Sequence, residues 1–487
     1  MVPSSLGQGI SNLHAGQRSH FDKLPIELVK TIFETYASYC DACPLTLGAV
    51  CKEWRRVAWS TPGVWTFLRM EIGLYEPRSW PLLYELLAEW LRRCQKLPLN
   101  IRFYAYSEDP RNPTKEDSEV YNGTRLVELL NQYSGQWRSV DILLPERLMA
   151  LLGSSASCVN SKLYSLSLAM PIKDSDQTPC VKPALVGFTP RIVSIIGFHL
   201  NPDSLTWTNV TDLYIAFPNV EDVHHIFRVA ERLQKCTFLN VSFNCYESLQ
   251  ELRDTSVEHM ELKTLEIGFA LQEVETFFMD VFTFPNLTSF IPTGALEELR
   301  TLGAEHLINF LERHSKTLRE MMLCLDDYTF EDAIAILHLL GSFEKLEELR
   351  IAGGSNNSIV MSSLCELLEG HLPSDDRPDP ILSEPLFPVL RVFSRTGYDS
   401  FPWRMLVSLL FPLSLLGNRR RPLRMIRVDC ICNRGEVLKF IPQNVLSTLS
   451  DFRDEIEFKV IKTVYNQASH VEERTDWWKA SVASFDC

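Results

Sequence analysis

Residues 261–282, ELKTLEIGFALQEVETFFMDVF, hold the pattern on which the fold turns. Leu262, Leu265 and Ile267 follow one spelling: an apolar residue, two variable ones, an apolar, a gap, an apolar. The alternation at its end is that of a strand with one face buried. The stretch from about 271 to 282 then carries apolar residues at helical spacing. A strand and a helix therefore sit side by side in one short segment.

The same spelling recurs on both sides. Toward the N-terminus it appears as Val210/Leu213/Ile215, Leu163/Leu166/Leu168 and Trp137/Val140/Ile142, with weaker copies at Ile192/Ile195 and Leu239/Val241. Toward the C-terminus it appears as Leu287/Phe290, Leu318/Met321/Leu323, Leu346/Leu349/Ile351, Leu390/Phe393 and Leu423/Ile426/Val428. Many steps between copies run 25 to 31 residues, and one near 351–395 is longer. Helical stripes fill the gaps: 221–235 with Val223, Ile226, Phe227, Ala230 and Leu233 on one face, then about 303–314, 330–340 and 359–369. Gly341 and Gly370 are expected as C-terminal caps.

Strand plus helix at this period resembles a leucine-rich-repeat array. The resemblance implies an α/β fold: an irregular solenoid, or horseshoe, over 136–465 with a parallel sheet on the concave side and helices outside. The Asn/Cys ladder position of regular repeats is mostly missing and the period drifts. The likeness is therefore to divergent repeats, and a non-repeat α/β domain is the competing expectation.

Upstream of the first copy, 67–135 reads as a helical linker with the first repeat elements. A helix is expected at about 80–93, with Leu82, Leu83, Leu86, Leu87, Trp90 and Leu91 on one face, and a strand at LPLNIRFYAY. The charged, turn-rich 107–123 reads as a loop, and a helix follows that closes at Gly135.

Further upstream lies FDKLPIELVKTIFETYASYCDACPLTLGAVCKEWRRVAWSTPGVW, residues 21–65. Pro25 stands where a first helical turn tolerates it, Asp22 is a candidate cap and Glu27 suits the helix start. Leu28, Val29, Ile32, Phe33 and Tyr36 recur at three- and four-residue spacing. A second helix is expected from Pro44 to Thr61, with Leu47, Val50, Cys51, Trp54 and Val57 on its apolar face and Lys52, Glu53, Arg55 and Arg56 on its charged one. Val64 and Trp65 fold back onto the pair. A hairpin this short cannot enclose its whole apolar set, and such a set docks on something else.

The spelling Leu24-Pro25, Glu27-Leu28, Ile32-Phe33, Val50-Cys51, Trp54-Arg55 and Pro62 with Trp65 resembles an F-box in order and spacing, with Val29 in place of the usual second leucine. The resemblance covers 21–66. It implies binding to a Skp-type adaptor, and through it to the cullin of an SCF-type ubiquitin ligase. Leu24, Pro25, Leu28, Ile32, Val50, Cys51 and Trp54 are then the candidate adaptor-binding or bundle-core positions. F-box, helix, Trp137-Arg-Ser-Val-Asp141 and degenerate repeats together are similar to expanded F-box families of fungi. The function implied is a substrate-recognition adaptor whose repeats hold an unknown target protein. A non-degradative F-box scaffold is the alternative.

Composition sets wider bounds. Hydrophobic residues at 45% and charged residues at 23% are ordinary for a globular chain, and the net charge of −14 argues against nucleic acid or an anionic membrane as partner. Apolar runs are broken by charge or proline, so no membrane span is expected. Residues 1–20 are polar without an apolar core and read as a disordered leader rather than a signal. Thirteen scattered cysteines suit reduced thiols, which places the protein in cytoplasm or nucleus.

Candidate chemistry is sparse, and no enzyme and no cofactor are expected. Cys40 and Cys43 lack a second ligand pair for zinc, so no metal is expected. His224-His225 lies in an expected helix, with one ring packed and one in solvent. No phosphate loop, nucleophile elbow or zincin motif occurs. The basic run Asn418–Arg424 reads as a solvated turn, 371–385 as an insertion, and 466–487 as a tail in which Trp477 and Trp478 cap the last repeat.

Overall fold

The computed structural model describes residues 24–39, 43–73, 80–106, 113–154, 162–171, 180–243, 245–293, 304–325, 328–353, 357–368, 386–397, 401–410, 420–433, 438–466 and 471–485. The leader, Asp22, Cys40, Gly370 and the insertion 371–385 lie outside these. The fold is mixed α/β with parallel strands dominant. Contacts divide the chain into two compact units: Met1–Lys173 with Val181–Pro190, and Asp174–Cys180 with Arg191–Cys487.

The first unit opens with three helices, α1 (Ile26–Tyr39), α2 (Cys43–Val50) and α3 (Lys52–Ser60), and a 3₁₀ turn at Pro62–Trp65. Then come β1 (Phe67–Gly73), α4 (Trp80–Arg93), β2 (Leu99–Tyr106), α5 (Pro113–Gln132), β3 (Trp137–Leu143) and β4 (Ser165–Ala169). The four strands pair in chain order, all parallel. Leu68, Ile101, Val140 and Leu166 stand in register and are buried, which forms one apolar row across the strands.

Two expectations are corrected here. The segment expected as a loop to residue 123 is helical from Pro113, because a first-turn proline followed by Glu116, Asp117 and Glu119 suits a helix start. The single second helix is two helices. Cys51 adopts an extended backbone (φ −157°, ψ 171°), and its Sγ accepts the Trp54 N–H at 3.4 Å, so it caps α3 rather than continuing α2.

The second unit repeats one connection. Its strands are β5 (Ile192–Ile196), β6 (Asp212–Ala216), β7 (Lys235–Val241), β8 (Thr264–Phe269), β9 (Ser289–Pro292), β10 (Glu320–Cys324), β11 (Glu348–Gly353), β12 (Val392–Gly397), β13 (Met425–Asn433), β14 (Glu457–Asn466) and β15 (Val471–Asp476). β5 to β14 pair parallel in chain order, and only β15 turns back antiparallel on β14. Between them run α6 (Val220–Val229), α7 (Tyr246–Arg253), α8 (Gln272–Val281), α9 (Ala304–His314), α10 (Phe330–Gly341), α11 (Asn357–Leu368), α12 (Arg404–Leu410) and α13 (Gln443–Ser450), with α14 (Trp477–Ala483) at the end.

The spelling read from the sequence becomes a register. Val193, Leu213, Cys236, Leu265, Phe290, Met321, Leu349, Phe393 and Ile426 are partners along neighbouring strands, and every one is buried. A one-residue slip would turn the row to the opposite face, so burial fixes the pairing. The next row, Leu323, Ile351, Arg395 and Val428, contains a charge; Arg395 is fully buried with its guanidinium 5.6 Å from the Phe401 ring.

Scattered polar side chains tie successive turns. His314 Nε2 accepts the Phe284 N–H at 3.0 Å, and its Nδ1 lies 2.6 Å from the Phe310 carbonyl. His259 Nε2 lies 2.9 Å from the Ala230 carbonyl. In the first unit, Asn131 donates to the Leu151 carbonyl at 2.8 Å and accepts from the Gly153 N–H at 2.9 Å.

Further corrections concern the second unit. Arg421 is no solvated turn residue; it is buried and donates to the Leu386 and Leu409 carbonyls, while burial lowers its pKa to about 10. Gly341 ends α10 without a left-handed backbone; its lack of a side chain matters because a Cβ would meet Leu386 Cδ2 at 2.5 Å. β1, β14, β15, α7 and α13 were not anticipated. Trp477 and Trp478 do pack, stacking on Phe440 at 4.9 Å and Phe458 at 5.4 Å.

Candidate docking surface on the N-terminal helices

α1 carries two apolar faces. Val29, Phe33 and Ala37 point inward and are buried. Leu24, Leu28, Ile32 and Tyr36, at four-residue spacing, remain 37%, 52%, 43% and 40% exposed. At this spacing Leu28, Ile32 and Tyr36 lie on one side of α1, and Leu24 stands two residues before the helix begins. Ile26, Tyr39 and Leu45 are also exposed, as is Val50 at the end of α2.

The buried face is well locked. The Phe33 and Trp54 rings lie 5.1 Å apart. Arg55 Nε donates to the Gly48 carbonyl at 2.7 Å and holds α2 against α3. Trp65 Nε1 donates to the Ala58 carbonyl and Trp90 Nε1 to the Trp65 carbonyl, both at 2.9 Å. Arg93 donates to the Trp59 carbonyl at 3.0 Å and lies over the Trp59 and Trp65 rings. Arg69 of β1 donates to the Ser38 carbonyl at 3.0 Å. The helices are thus fastened to the rest of the first unit through tryptophan and arginine.

The seven sequence-derived positions therefore divide. Leu24, Pro25, Leu28, Ile32, Val50 and Cys51 are exposed. Trp54 is half-buried and belongs to the internal packing through Phe33. Tyr36 extends the exposed set; its helical spacing was visible in the sequence, its outward face was not. Tyr39 and Leu45 were missed, because nothing in their local spacing distinguishes an outward apolar residue from an inward one.

Clefts elsewhere among the described residues include two with polar linings. One of about 370 Å³, in the first unit, is lined by Arg69, Asn100, Arg102, Ser139, Ser165 and Ser167 among others. The other, about 490 Å³ in the second unit, is lined by His224, Arg228, Glu231, Thr255 and His259 among others. His224 is buried and bonded to Thr255 Oγ1 at 2.9 Å, while His225 is half-buried with its Nε2 3.8 Å from Asp203 Oδ1. Burial lowers the His224 pKa. Among the described residues no group of three His, Cys, Asp or Glu side chains is arranged to hold a metal, and no helix is long and apolar enough to cross a membrane. Neither the protein-family models nor the curated proteins compared with this chain give a match.

Proposed function

We propose that this chain is the substrate-recognition adaptor of an SCF-type ubiquitin ligase. The N-terminal helices act as an F-box on a Skp-type adaptor, and the strand–helix repeats, an irregular solenoid of leucine-rich-repeat type, bind a target protein. The observation that carries the reading is the double-faced α1. Its inner face completes the local core, and its outer face keeps Leu28, Ile32 and Tyr36 accessible, with Leu24 exposed just ahead of it. A contiguous exposed apolar stripe of this kind fits a partner surface. The positions that match the F-box spelling supply most of it.

In this reading the chain performs no bond chemistry. It brings a target close to a ubiquitin-charged enzyme and raises its effective concentration. The open faces of the strands suit target binding, since their outward side chains can vary without disturbing the buried rows.

The test is co-purification of the full chain with a recombinant Skp-type adaptor, beside a Leu28→Ala/Ile32→Ala/Val50→Ala variant. All three side chains are exposed, so circular dichroism is expected to stay unchanged while adaptor binding falls at least a hundredfold, as apolar anchors at an interface centre do. Binding that survives the triple variant, or a well-folded parent that does not bind, overturns the reading.

A further inference from the structure

His199 and Asp222 join the turn after β5 to the start of α6, and we infer that the pair is a clasp closed by one proton. The clasp lies within the second unit and stands apart from the adaptor reading.

The turn runs from His199 through a 3₁₀ segment at Pro202–Ser204. Asn201 Oδ1 accepts the Asp203 N–H at 2.9 Å, and Trp207 Nε1 donates to the Pro202 carbonyl at 2.7 Å, so the turn is held by its own side chains. Two His–Asp pairs then link it to α6, with the residue types exchanged. His199 Nδ1 of the turn stands 4.0 Å from Asp222 Oδ2 of the helix, and Asp203 Oδ1 of the turn stands 3.8 Å from His225 Nε2 of the helix. Asp222 and His225 are three residues apart on α6 and so are neighbours on its surface.

The two pairs differ in burial. Asp203 is exposed and His225 half-buried, so water screens the outer pair. In the inner pair His199 and Asp222 are only 14% and 23% exposed, and among the described residues the buried His199 Nδ1 has no hydrogen-bond partner. A buried ring nitrogen in that state costs free energy. The Asp222 carboxylate faces it, yet 4.0 Å is too long for a hydrogen bond. A bare imidazole nitrogen and an ionised carboxylate are both acceptors. One proton between them makes a donor and an acceptor of the pair, and such a bond closes to about 2.7–2.9 Å. The gap is about 1 Å wider than the protonated pair needs.

The surroundings put that proton on the carboxyl first. Asp222 also holds the Asn219 backbone N–H, which keeps it at the start of α6. Burial, then the neighbouring Glu221, raises its pKa to about 7. Burial lowers the His199 pKa, with Glu221 opposing the shift, so the ring stays neutral and Nδ1 can accept. Of the other charges on and around α6, Arg228 acts on His224, and Glu247, Glu251 and Arg253 of α7 are exposed, as is Glu258. The folded value of Asp222 lies above its ordinary 3.8, so the clasp is closed below about 7 and opens as pH rises through it.

Hydrogen exchange of the full chain, read by mass spectrometry at about pH 6 and about pH 8 and corrected for the intrinsic effect of pH on exchange, tests the clasp. Protection of peptides covering 198–204 and 220–226 is expected to be about tenfold higher at the lower pH, as one proton bound near pH 7 in the closed form requires. Asp222→Asn carries no charge at either pH, and its amide can donate to Nδ1. It is expected to keep the higher protection at both. His199→Leu offers no acceptor and is expected to bring the ratio below about twofold. Asp203→Asn, on the screened outer pair, is expected to leave the ratio as it is. Equal protection of the parent at the two pH values overturns the inference. So does a ratio that persists in Asp222→Asn, which would place the proton elsewhere, or in His199→Leu, which would make burial of Asp222 alone the cause. Each of the two variants decides separately, so one that fails to fold leaves the other to judge by.

Discussion

α1 and α8 are both amphipathic, yet they dispose of their apolar residues differently. α8 turns Val274, Phe277, Phe278, Met279 and Val281 into the second unit's core, where Phe278 stacks on Phe282 at 4.5 Å. α1 buries Val29, Phe33 and Ala37 and leaves a second set outside. The contrast teaches that apolar periodicity says a helix face wants covering. What covers it depends on how much chain is at hand. Within the repeats, the next strand–helix pair supplies the cover. At the N-terminal end, α2, α3 and the turn at Pro62–Trp65 supply cover for one face only.

The largest effect that could break this contrast lies in α8. Phe278→Ala removes a fully buried ring from the cluster of Phe227, Phe269, Phe282 and Phe284. A loss of about 3–5 kcal/mol is expected in urea unfolding of the second unit. A loss below about 1 kcal/mol would mean that the cluster is loosely packed, and α8 would then resemble the outer face of α1.

Next comes His314, whose burial holds its pKa down at about 4. Its Nε2 accepts a backbone N–H from Phe284, so that nitrogen carries no proton in the fold. The unfolded chain takes up the proton near pH 6.5 and the folded one only near 4, so stability contributed by neutral His314 is present above 6.5 and is lost as pH falls toward 4. The full span corresponds to about 3 kcal/mol. Asp222 acts in the opposite sense: burial first, with the neighbouring Glu221, raises its pKa to about 7, so its contribution weakens as pH rises from 3.8 to 7. The measurement is therefore the slope of stability against pH in the parent and in His314→Leu. The variant is expected to lose the His314 share of the rise between pH 4 and 6.5, whatever its stability at neutral pH. An unchanged slope would remove the histidine from the account.

A middle-sized effect sharpens the N-terminal side. A Cβ on Gly48 would meet Trp59 Cζ3 at 2.1 Å, and Trp59 in turn packs on Trp65 at 5.3 Å. Gly48→Ala must displace a ring held between two elements, and about 1–3 kcal/mol is expected from thermal unfolding. The inner packing of the helices would be slack if the variant were neutral.

These elements also show what could be read in advance. The rows through Leu265 and Met321 were legible because each strand needs two buried residues at fixed spacing, and the chain repeats that need. β14 was missed because Lys459 and Lys462 interrupt its apolar pattern, and α7 and α13 because helices of eight residues show barely two turns of stripe. Arg421 was misread because a basic run gives no sign that one guanidinium will bond buried carbonyls. At the candidate surface the residues themselves were legible and their direction was not. Trp54 and Leu28 sit in the same motif, yet Trp54 meets Phe33 while Leu28 meets solvent. The cleft of serines on β3 and β4 had no local signal at all, since it exists only once four strands are in register.

The smallest expected effect separates the two faces of α1 most directly. Phe33 and Ile32 are neighbours in sequence, and only their helical phase differs. Phe33→Ala should cost about 3–5 kcal/mol, whereas Ile32→Ser should stay within about 0.5 kcal/mol of the parent, because the Ile32 side chain gives up little contact within the chain. Adaptor binding is expected to reverse the order: Ile32→Ser weakens it at unchanged stability. A stability loss above about 1 kcal/mol in Ile32→Ser would mean that the outer stripe already serves the fold of the free chain. The exposed face of α1 would then be part of a core, and its claim to be a docking surface would pass to Val50 and Leu45 alone.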